Sequence, residues 1–211
     1  MKKNFSPKTW GPFGWYFFHI ISFTYSIDDI IDNKENIDNK ENIYNKQNID
    51  NKENIKTNKK YYIDFFKVIS NLLPCMRCQF HYKKILNFNP ISEDKIQYRE
   101  DLIEWVLKTH NLVNIIIGRK KYTLTRLKEL YITNNQLNVN HKLLYKFLYY
   151  IIHSPINKNK NGRRNIEKLF KILIEIFPCF ACRDNIKTLL PFYSQKNNYN
   201  GLLVKLLKGN H

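Results

Sequence analysis

Apolar residues recur at helical spacing through nearly the whole chain, and this pattern restricts the fold more than any other feature. Residues three and four apart share one face of a helix, whereas a strand requires alternation, and no run alternates over a strand's length. The sequence therefore predicts an all-α protein. The expected helices cover residues 11–27, 61–73, 75–88, 95–118, 123–133, 141–153, 164–177, 179–190 and 200–208.

One segment departs from this pattern. A hexapeptide of the type Asn-Lys-Glu-Asn-Ile-Asp repeats four times between Asn33 and Lys56. One isoleucine in six residues cannot bury enough surface to offset the entropy of an ordered chain. A β-helix coil would need several inward-facing apolar residues in each turn. The sequence therefore predicts a disordered, low-complexity insertion over residues 33–60 that separates two helices.

The two halves of the chain resemble each other. Residues 65–88 align without gaps on residues 169–192, and both copies contain Pro-Cys-x-x-Cys. Residues 16–21 likewise resemble residues 147–152. We therefore expect an N-terminal domain over residues 1–135 and a C-terminal helical domain over residues 136–211, the latter a degenerate second copy.

Composition narrows the class of protein. A formal net charge of +17 is compatible with a nucleic acid or an anionic surface as partner. Since no nucleic-acid motif accompanies the charge, we attribute it to a composition rich in Asn, Lys and Ile and expect no specific nucleic acid. Four cysteines are too few for a secreted disulfide scaffold. The apolar stretch 13–27 lacks a signal-cleavage site and is shorter than the roughly 20 residues that span a bilayer, so we expect a buried helix of a soluble protein.

Cysteine occurs only as two Cys-x-x-Cys pairs, Cys75/Cys78 and Cys179/Cys182. Pro74 favours a helix start at the first pair, and a spacing of three places both sulfurs on one helix face. The positive end of the helix dipole stabilises a thiolate there. Three interpretations remain open from the pattern alone: a redox-active pair, two buried structural thiols, or half of a four-cysteine zinc site.

A polar motif, His110-Asn111-x-Val113-Asn114, follows Trp105 on the long helix expected at residues 95–118. Histidine and asparagine beside an apolar face suit an adenine ring, which offers ring nitrogens for hydrogen bonds and a face for packing. The basic residues that follow Gly118 suit a pyrophosphate. A single His or Asn would more often be an ordinary surface residue, and the apolar members have the spacing of core residues.

Together these motifs resemble the Erv/ALR family of FAD-linked sulfhydryl oxidases, especially the short forms of large DNA viruses. The resemblance covers about the first 135 residues. It rests on Trp10-Gly11-Pro12-x-x-Trp15-x-x-x-His19, Pro74-Cys75-x-x-Cys78, His81-Tyr82, Trp105, His110-Asn111-x-Val113-Asn114 and Gly118-Arg119-x-x-Tyr122, with Tyr131 where the family usually has Trp. It implies a four-helix bundle with a short fifth helix, here followed by a second, degenerate bundle.

The resemblance also implies an activity. It predicts a thiol oxidase that takes electrons from protein dithiols through Cys-x-x-Cys to FAD and then to O2, giving hydrogen peroxide. Cys75 would be the outer sulfur that exchanges with substrate, and Cys78 the sulfur against the isoalloxazine. No metal ligand is expected in the site. The implied cofactor-binding residues are Trp10, Trp15, His19, Tyr25, Trp105, His110, Asn111, Val113, Asn114, Arg119, Lys121 and Tyr131.

Two departures from the family pattern leave questions open. The chain has Leu124 near the position of a further family cysteine, and no cysteine pair precedes the bundle to act as a shuttle. Cys179 and Cys182 are expected to form a second local disulfide, with either a structural or a shuttle role. The alternative functions are a four-cysteine zinc module and a non-catalytic interaction module. By resemblance we also expect a homodimer and, for a viral member, a location in host cytoplasm or virion.

Overall fold

The computed structural model describes residues 4–25, 58–134 and 136–208 and confirms the all-α class. Within these residues every expected helix is present, although its ends shift by up to five residues. The helices are α1 (Pro7–Phe23), α2 (58–69), α3 (Met76–Phe88), α4 (Arg99–Ile116), α5 (Leu124–Tyr131), α6 (His141–His153), α7 (Lys160–Ile176), α8 (Phe180–Gln195) and α9 (Tyr199–Lys208), with short 3-10 turns at Glu93–Lys95 and Pro155–Asn157.

The predicted insertion lies outside the described residues, except for its last three positions, 58–60, which already belong to α2. The described residues on either side of the insertion lie close together. The hydroxyl of Tyr62 on α2 donates to the carbonyl of Thr24, 3.2 Å away, and the rings of Tyr25 and Tyr62 are 4.6 Å apart. None of the described helices combines the length and the apolar character that a membrane crossing requires.

A small hairpin that the sequence did not predict connects α5 to α6. The strands β1 (Ile132–Thr133) and β2 (Gln136–Leu137) pair antiparallel, with Ile132 opposite Leu137. Strands of two residues are too short to produce a detectable alternation. The turn places Asn134 at φ 51°, in the left-handed region that asparagine tolerates better than most residues. Helix α5 consequently ends at Tyr131 rather than at 133.

One continuous apolar core extends through both expected domains. Helix α1 packs on α4 on one side and on α6 on another. Phe17 and Phe18 of α1 lie 5.8 and 5.9 Å, between ring centroids, from Phe147 of α6. Gly14 permits this approach, because a Cβ at that position would lie 3.0 Å from the Phe147 ring. The division at residue 135 stays a prediction, but the two segments share their interior.

The two Cys-x-x-Cys turns have nearly the same geometry. Cys75 (φ −159°, ψ 117°) is the N-cap of α3, and Cys179 (φ −163°, ψ 111°) is the N-cap of α8. In each turn the first sulfur accepts a hydrogen bond from the backbone N–H of the second cysteine, at 3.2 Å for Cys78 and 3.1 Å for Cys182. The similarity seen in the sequence is therefore also a local structural repeat.

Candidate active site

The first cysteine pair forms a disulfide at the start of α3. The Cα atoms of Cys75 and Cys78 are 5.1 Å apart, and both residues are partly exposed. The side-chain amide of Gln79 fixes the turn before the helix by donating to the carbonyl of Leu73 at 2.9 Å. Because the disulfide lies at the positive end of the helix dipole, its reduction would leave a stabilised thiolate.

A chain of aromatic contacts joins this turn to α1. Tyr82, one helical turn after Cys78, packs on Phe18, with 6.0 Å between ring centroids. Phe18 in turn lies edge-on to Trp15, at 5.4 Å. The buried hydroxyl of Tyr82 has no hydrogen-bond partner, and burial raises the pKa of this phenol well above its ordinary value. The helix that begins at the disulfide thus contacts α1 through Tyr82 and Phe18, and Phe18 lies beside Trp15.

Five rings from α1, α4, α5 and the α4–α5 loop form what we call the imidazole cluster: Trp15, His19, His110, Tyr122 and Tyr131. Trp15 stacks on His110 with 3.9 Å between centroids and 6° between planes. Nε2 of His19 lies 2.9 Å from Nδ1 of His110. Tyr131 is 5.4 Å from the His19 ring, and Tyr122 is 5.1 Å from the His110 ring. The structure therefore brings together four candidate site residues, Trp15, His19, His110 and Tyr131, that come from three separate parts of the sequence.

Both histidines of this cluster are neutral at physiological pH. Burial, and secondarily the neighbouring His110, lowers the pKa of His19 to about 3. Burial, and secondarily Arg119, lowers the pKa of His110 to about 4. Two neutral rings share one hydrogen bond only if one donates and the other accepts. Nδ1 of His19 remains buried without a hydrogen-bond partner, so the cluster presents an unsatisfied polar atom inside an aromatic wall.

The two asparagines of the α4 motif hold the loop that follows the helix. Asn111 donates to the carbonyl of Tyr122 at 2.9 Å and accepts from its N–H at 2.8 Å. The side-chain amide of Asn114 donates to the carbonyl of Lys120 at 3.1 Å, and the backbone carbonyl of Asn114 accepts from the N–H of Arg119 at 2.7 Å. Both asparagines therefore position the exposed loop of residues 117–123, here called the basic loop, a role that the sequence motif alone did not indicate.

Two predicted residues lie away from the imidazole cluster. Trp10 packs its ring on Phe147 of α6, at 6.3 Å, and donates its indole N–H to the carbonyl of Phe5. Tyr25, beyond the end of α1, is fully buried and donates its hydroxyl to the carbonyl of Ile96 at 2.8 Å. Both residues stabilise the bundle at positions where no cluster ring contacts them.

Trp105 is a core residue that ties three elements together. Its ring packs on Phe66 of α2 at 4.9 Å, and its indole N–H donates to the carbonyl of Asn89 at 3.1 Å. Val113 is partly exposed on α4, and Lys121 is exposed in the basic loop. Asn89, at the C-cap of α3, is buried and also donates to Thr109 at 3.2 Å. No sequence pattern marked Asn89, because only the fold brings it to α4.

The sequence profile of the Erv1/Alr family matches residues 13–132, which is more than half of the chain. The chain belongs to the Erv1/Alr family. The matched segment of this Erv1/Alr chain contains the Cys75–Cys78 disulfide and the whole imidazole cluster, and Cys179 and Cys182 lie outside it.

Three curated relatives show what this Erv1/Alr chain is similar to. A protein named probable FAD-linked sulfhydryl oxidase R368, from Acanthamoeba polyphaga mimivirus, is 29% identical over 118 residues, which is 56% of this chain and 65% of the relative. Proteins named FAD-linked sulfhydryl oxidase ERV1 are 28% identical over 71 residues in Arabidopsis thaliana and 29% over 63 residues in Oryza sativa subsp. japonica. These alignments cover 34% and 30% of this chain and 36% and 31% of the plant proteins. The chain thus spans less than two thirds of each relative, and no solved structure matches it.

The four-cysteine zinc alternative receives no support from the geometry. Within the described ranges, the ligand atoms of His141, Cys179 and Cys182 lie within 4.8 Å of one another, and neither Cys75 nor Cys78 belongs to that group. The two cysteine pairs therefore do not meet at one metal centre.

Proposed function

We propose that this Erv1/Alr chain is a FAD-dependent sulfhydryl oxidase that forms disulfide bonds in protein substrates. One observation carries the proposal: the Cys75–Cys78 disulfide caps a helix that packs, through Tyr82 and Phe18, on the helix bearing Trp15 and His19. All of these residues lie in the segment that the family profile matches. The names of the relatives, which are FAD-linked sulfhydryl oxidases, support the same activity.

The residues present fit a flavin adenine dinucleotide. The imidazole cluster offers flat aromatic surfaces and the unpartnered Nδ1 of His19 to a planar ring with polar edges. The basic loop offers exposed cations to a diphosphate. In this proposal, Trp15, His19 and Tyr131 line the flavin, whereas His110, Val113 and Trp105 surround the adenosine part. Arg119 or Lys121 contacts the phosphates, and Asn111 and Asn114 hold the loop. Trp10 and Tyr25 support the bundle around the site.

The chain's own chemistry is thiol–disulfide exchange. A substrate thiolate attacks Sγ of Cys75, the Cys75–Cys78 bond breaks, and the electron pair of that bond goes to Cys78. The second substrate thiolate then attacks the mixed disulfide and releases Cys75. The substrate loses two electrons and two protons, and the cysteine pair gains them. We assign Cys78 as the sulfur that faces the flavin ring.

When bound, FAD supplies a two-electron acceptor that can be reoxidised by dioxygen with formation of hydrogen peroxide. The protein contributes orientation and exclusion of water around that chemistry. We keep a homodimer, and host cytoplasm or virion as the location of a viral chain, as parts of the same proposal. Sedimentation equilibrium of the full chain tests the dimer.

The activity is tested on the purified full chain by its flavin absorbance and by oxygen consumption with a small dithiol. Cys75→Ser and Cys78→Ser should each abolish dithiol-dependent oxygen consumption, whereas Phe88→Ser, an exposed change at the end of the same helix, should retain it. A colourless protein without oxygen consumption would refute the proposal.

The two cysteine variants also separate the roles of the sulfurs. Cys75→Ser leaves the Cys78 thiolate beside the flavin, so we expect a long-wavelength charge-transfer band in this variant. The same band in Cys78→Ser instead would reverse the assignment of inner and outer sulfur.

A further inference from the structure

A histidine lies beside the second cysteine pair. His141 is the first residue of α6, and its Nε2 is buried without a hydrogen-bond partner. This nitrogen and the sulfurs of Cys179 and Cys182 lie within 4.8 Å of one another. Cys182 is fully buried, whereas His141 and Cys179 are partly exposed. Because α6 and α8 are separate in the sequence, no motif spacing links His141 to the pair.

The first cysteine pair provides an internal comparison. Its backbone has nearly the same conformation, and its Cα atoms are 5.1 Å apart against 5.2 Å in the second pair. Yet no histidine completes a group of ligand atoms around Cys75 and Cys78 in the described part of the chain. The arrangement at Cys179 is therefore not a general result of the Cys-x-x-Cys turn.

We propose that the dithiol form of this second pair binds a zinc ion through Cys179, Cys182 and His141, with the fourth position open to solvent. Two thiolates and a neutral imidazole are the ligands that zinc prefers, and three protein ligands plus water form a common zinc site. The binding face is the junction between the N-termini of α6 and α8.

The distances suit this ion. Zinc–sulfur and zinc–nitrogen bonds of about 2.3 and 2.0–2.1 Å place tetrahedral ligand atoms about 3.5–3.8 Å apart. The imidazole nitrogen, within 4.8 Å of each sulfur, therefore has to approach them by at most about 1.3 Å, whereas the two sulfurs have to separate from bonding distance by about 1.7 Å. Opening the disulfide allows the two sulfurs to separate in the required direction.

The chemistry balances in two steps. A dithiol reductant transfers two electrons and two protons to the Cys179–Cys182 disulfide by exchange and becomes a disulfide itself. Zinc then binds to the two thiols and the imidazole, and two protons leave. The disulfide and the zinc complex exclude each other, so α6 and α8 are joined by the metal only when the sulfurs are reduced.

The test uses the full chain carrying Cys75→Ser and Cys78→Ser, so that the second pair supplies its only thiols. The protein is reduced with a phosphine, freed of reductant without air, and titrated with Zn2+ alone against a chromophoric chelator. We expect one zinc ion per chain in the reduced protein and none after reoxidation. Since the assay does not involve flavin or turnover, its result is independent of the proposed oxidase activity.

Substitution of the histidine decides whether the site is the proposed one. His141→Ala should weaken zinc binding at least about tenfold, the lower end of what even outer-shell partners contribute. His153→Ala, at the other end of the same helix, should leave the affinity unchanged. His141→Asn, which keeps the size of the side chain more closely, serves if the alanine variant loses helical circular dichroism.

Two results would overturn the proposal. The first is a reduced chain that retains no zinc at micromolar concentrations of the ion. The second is equal affinity with and without His141, which would show binding by the dithiol alone. As a further comparison, Cys179→Ser/Cys182→Ser in a chain with an intact first pair should bind zinc at least about tenfold more weakly, because among the described residues no histidine nitrogen completes a group of ligand atoms around that pair.

Discussion

The contact between His19 and His110 defines the site at the scale of single residues. Two buried imidazoles joined by a 2.9 Å hydrogen bond cannot both be protonated without losing that bond. Their pKa values lie below that of an exposed histidine mainly because burial disfavours the charged form. The cluster is therefore built to remain uncharged, which suits the uncharged face of an aromatic cofactor.

This pair should make folding sensitive to acid. Between pH 6.5 and pH 4 the unfolded chain binds protons at His19 and His110 that the folded chain does not bind, so stability falls as the pH falls. Each histidine contributes up to about 1.4 kcal/mol per pH unit in this window. His19→Asn should therefore flatten the dependence of the free energy of unfolding on pH, measured by urea titration.

Phe18→Leu is the matched control for this measurement, because it removes core volume beside the site and no titrating group. It should lower stability at every pH and leave the slope of the wild-type curve unchanged. Parallel curves for His19→Asn and the wild type would contradict the assignment of the acid sensitivity to this pair.

At this scale the sequence indicated candidate residues but not the contacts between them. The motifs named Trp15, His19, His110 and Tyr131 separately, and the fold brings the four rings together in one cluster. The bonds between Asn111 and the backbone of Tyr122 were not indicated by the motif, because the direction of a side-chain amide depends on the loop that returns to it. Asn89 and His141 were missed for a related reason: their partners are distant in the sequence, and no local pattern records such contacts.

At the scale of elements, α4 and the basic loop act as one unit. The two hydrogen bonds between Asn111 and the backbone of Tyr122 close this loop over the end of the helix. Asn111→Ala removes both, and at about 0.5–1.5 kcal/mol each this should raise local opening roughly 5- to 160-fold. We expect faster tryptic cleavage after Arg119, Lys120 or Lys121 and weaker flavin retention.

Glu104→Ala, an exposed change on the same helix, provides the comparison for this cleavage assay. Its digestion pattern should equal that of the wild type. Unchanged cleavage in Asn111→Ala would show that the loop is held by other contacts.

The connection between α1 and α2 should be replaceable, because the elements at its ends are fixed to each other. Tyr62 binds the carbonyl of Thr24, and Arg99 donates to the carbonyl of Tyr25 at 2.7 Å. Deleting residues 33–56 shortens the connection from 32 to 8 residues. The entropic cost of closing a loop falls by about 0.6 kcal/mol each time the length of the loop is halved. We therefore expect the flavin content to be unchanged and the free energy of unfolding to rise by about 1.2 kcal/mol at most.

A variant with the same segment in scrambled order controls for length in this experiment. Both proteins should retain the flavin and the melting temperature of the wild type within a few degrees. Loss of flavin on deletion alone would show that the segment takes part in the fold.

The elements themselves followed from apolar spacing, because each helix buries one face against the core. Their ends were less accurate where capping decides the boundary. Helix α1 begins at Pro7 rather than at residue 11, because Ser6 caps it and Pro7 suits the first helical position. The hairpin β1–β2 was not predictable from periodicity, since its two-residue strands are set by the turn at Asn134.

At the scale of the whole molecule, the segments before and after residue 135 share one interior. The contact between Gly14 and Phe147 is central to it. Gly14→Leu should lower the free energy of unfolding by about 1–3 kcal/mol through overpacking. Because the core is continuous, we expect the chain to unfold in one transition. Tryptophan fluorescence reports only residues 10, 15 and 105, and circular dichroism reports all helices, so the two signals should be lost together.

Gly11→Ala is the matched control on the same helix, since no atom lies within 4 Å of a Cβ added there. It should be neutral or stabilise by up to about 1 kcal/mol through helix propensity. Two separate unfolding transitions, with fluorescence unaffected by Gly14→Leu, would show instead that the segments fold as independent units.

The packing of α6 on α1 has a consequence for how this protein responds to dilution. A subunit whose apolar helix face is covered by a second molecule depends on protomer concentration, since separation exposes that face. Here the cover belongs to the same polypeptide, and Phe147 remains against Phe17 and Phe18 however dilute the protein becomes. That face of the bundle therefore stays closed at the lowest expression levels, and any association between chains has to use other surfaces.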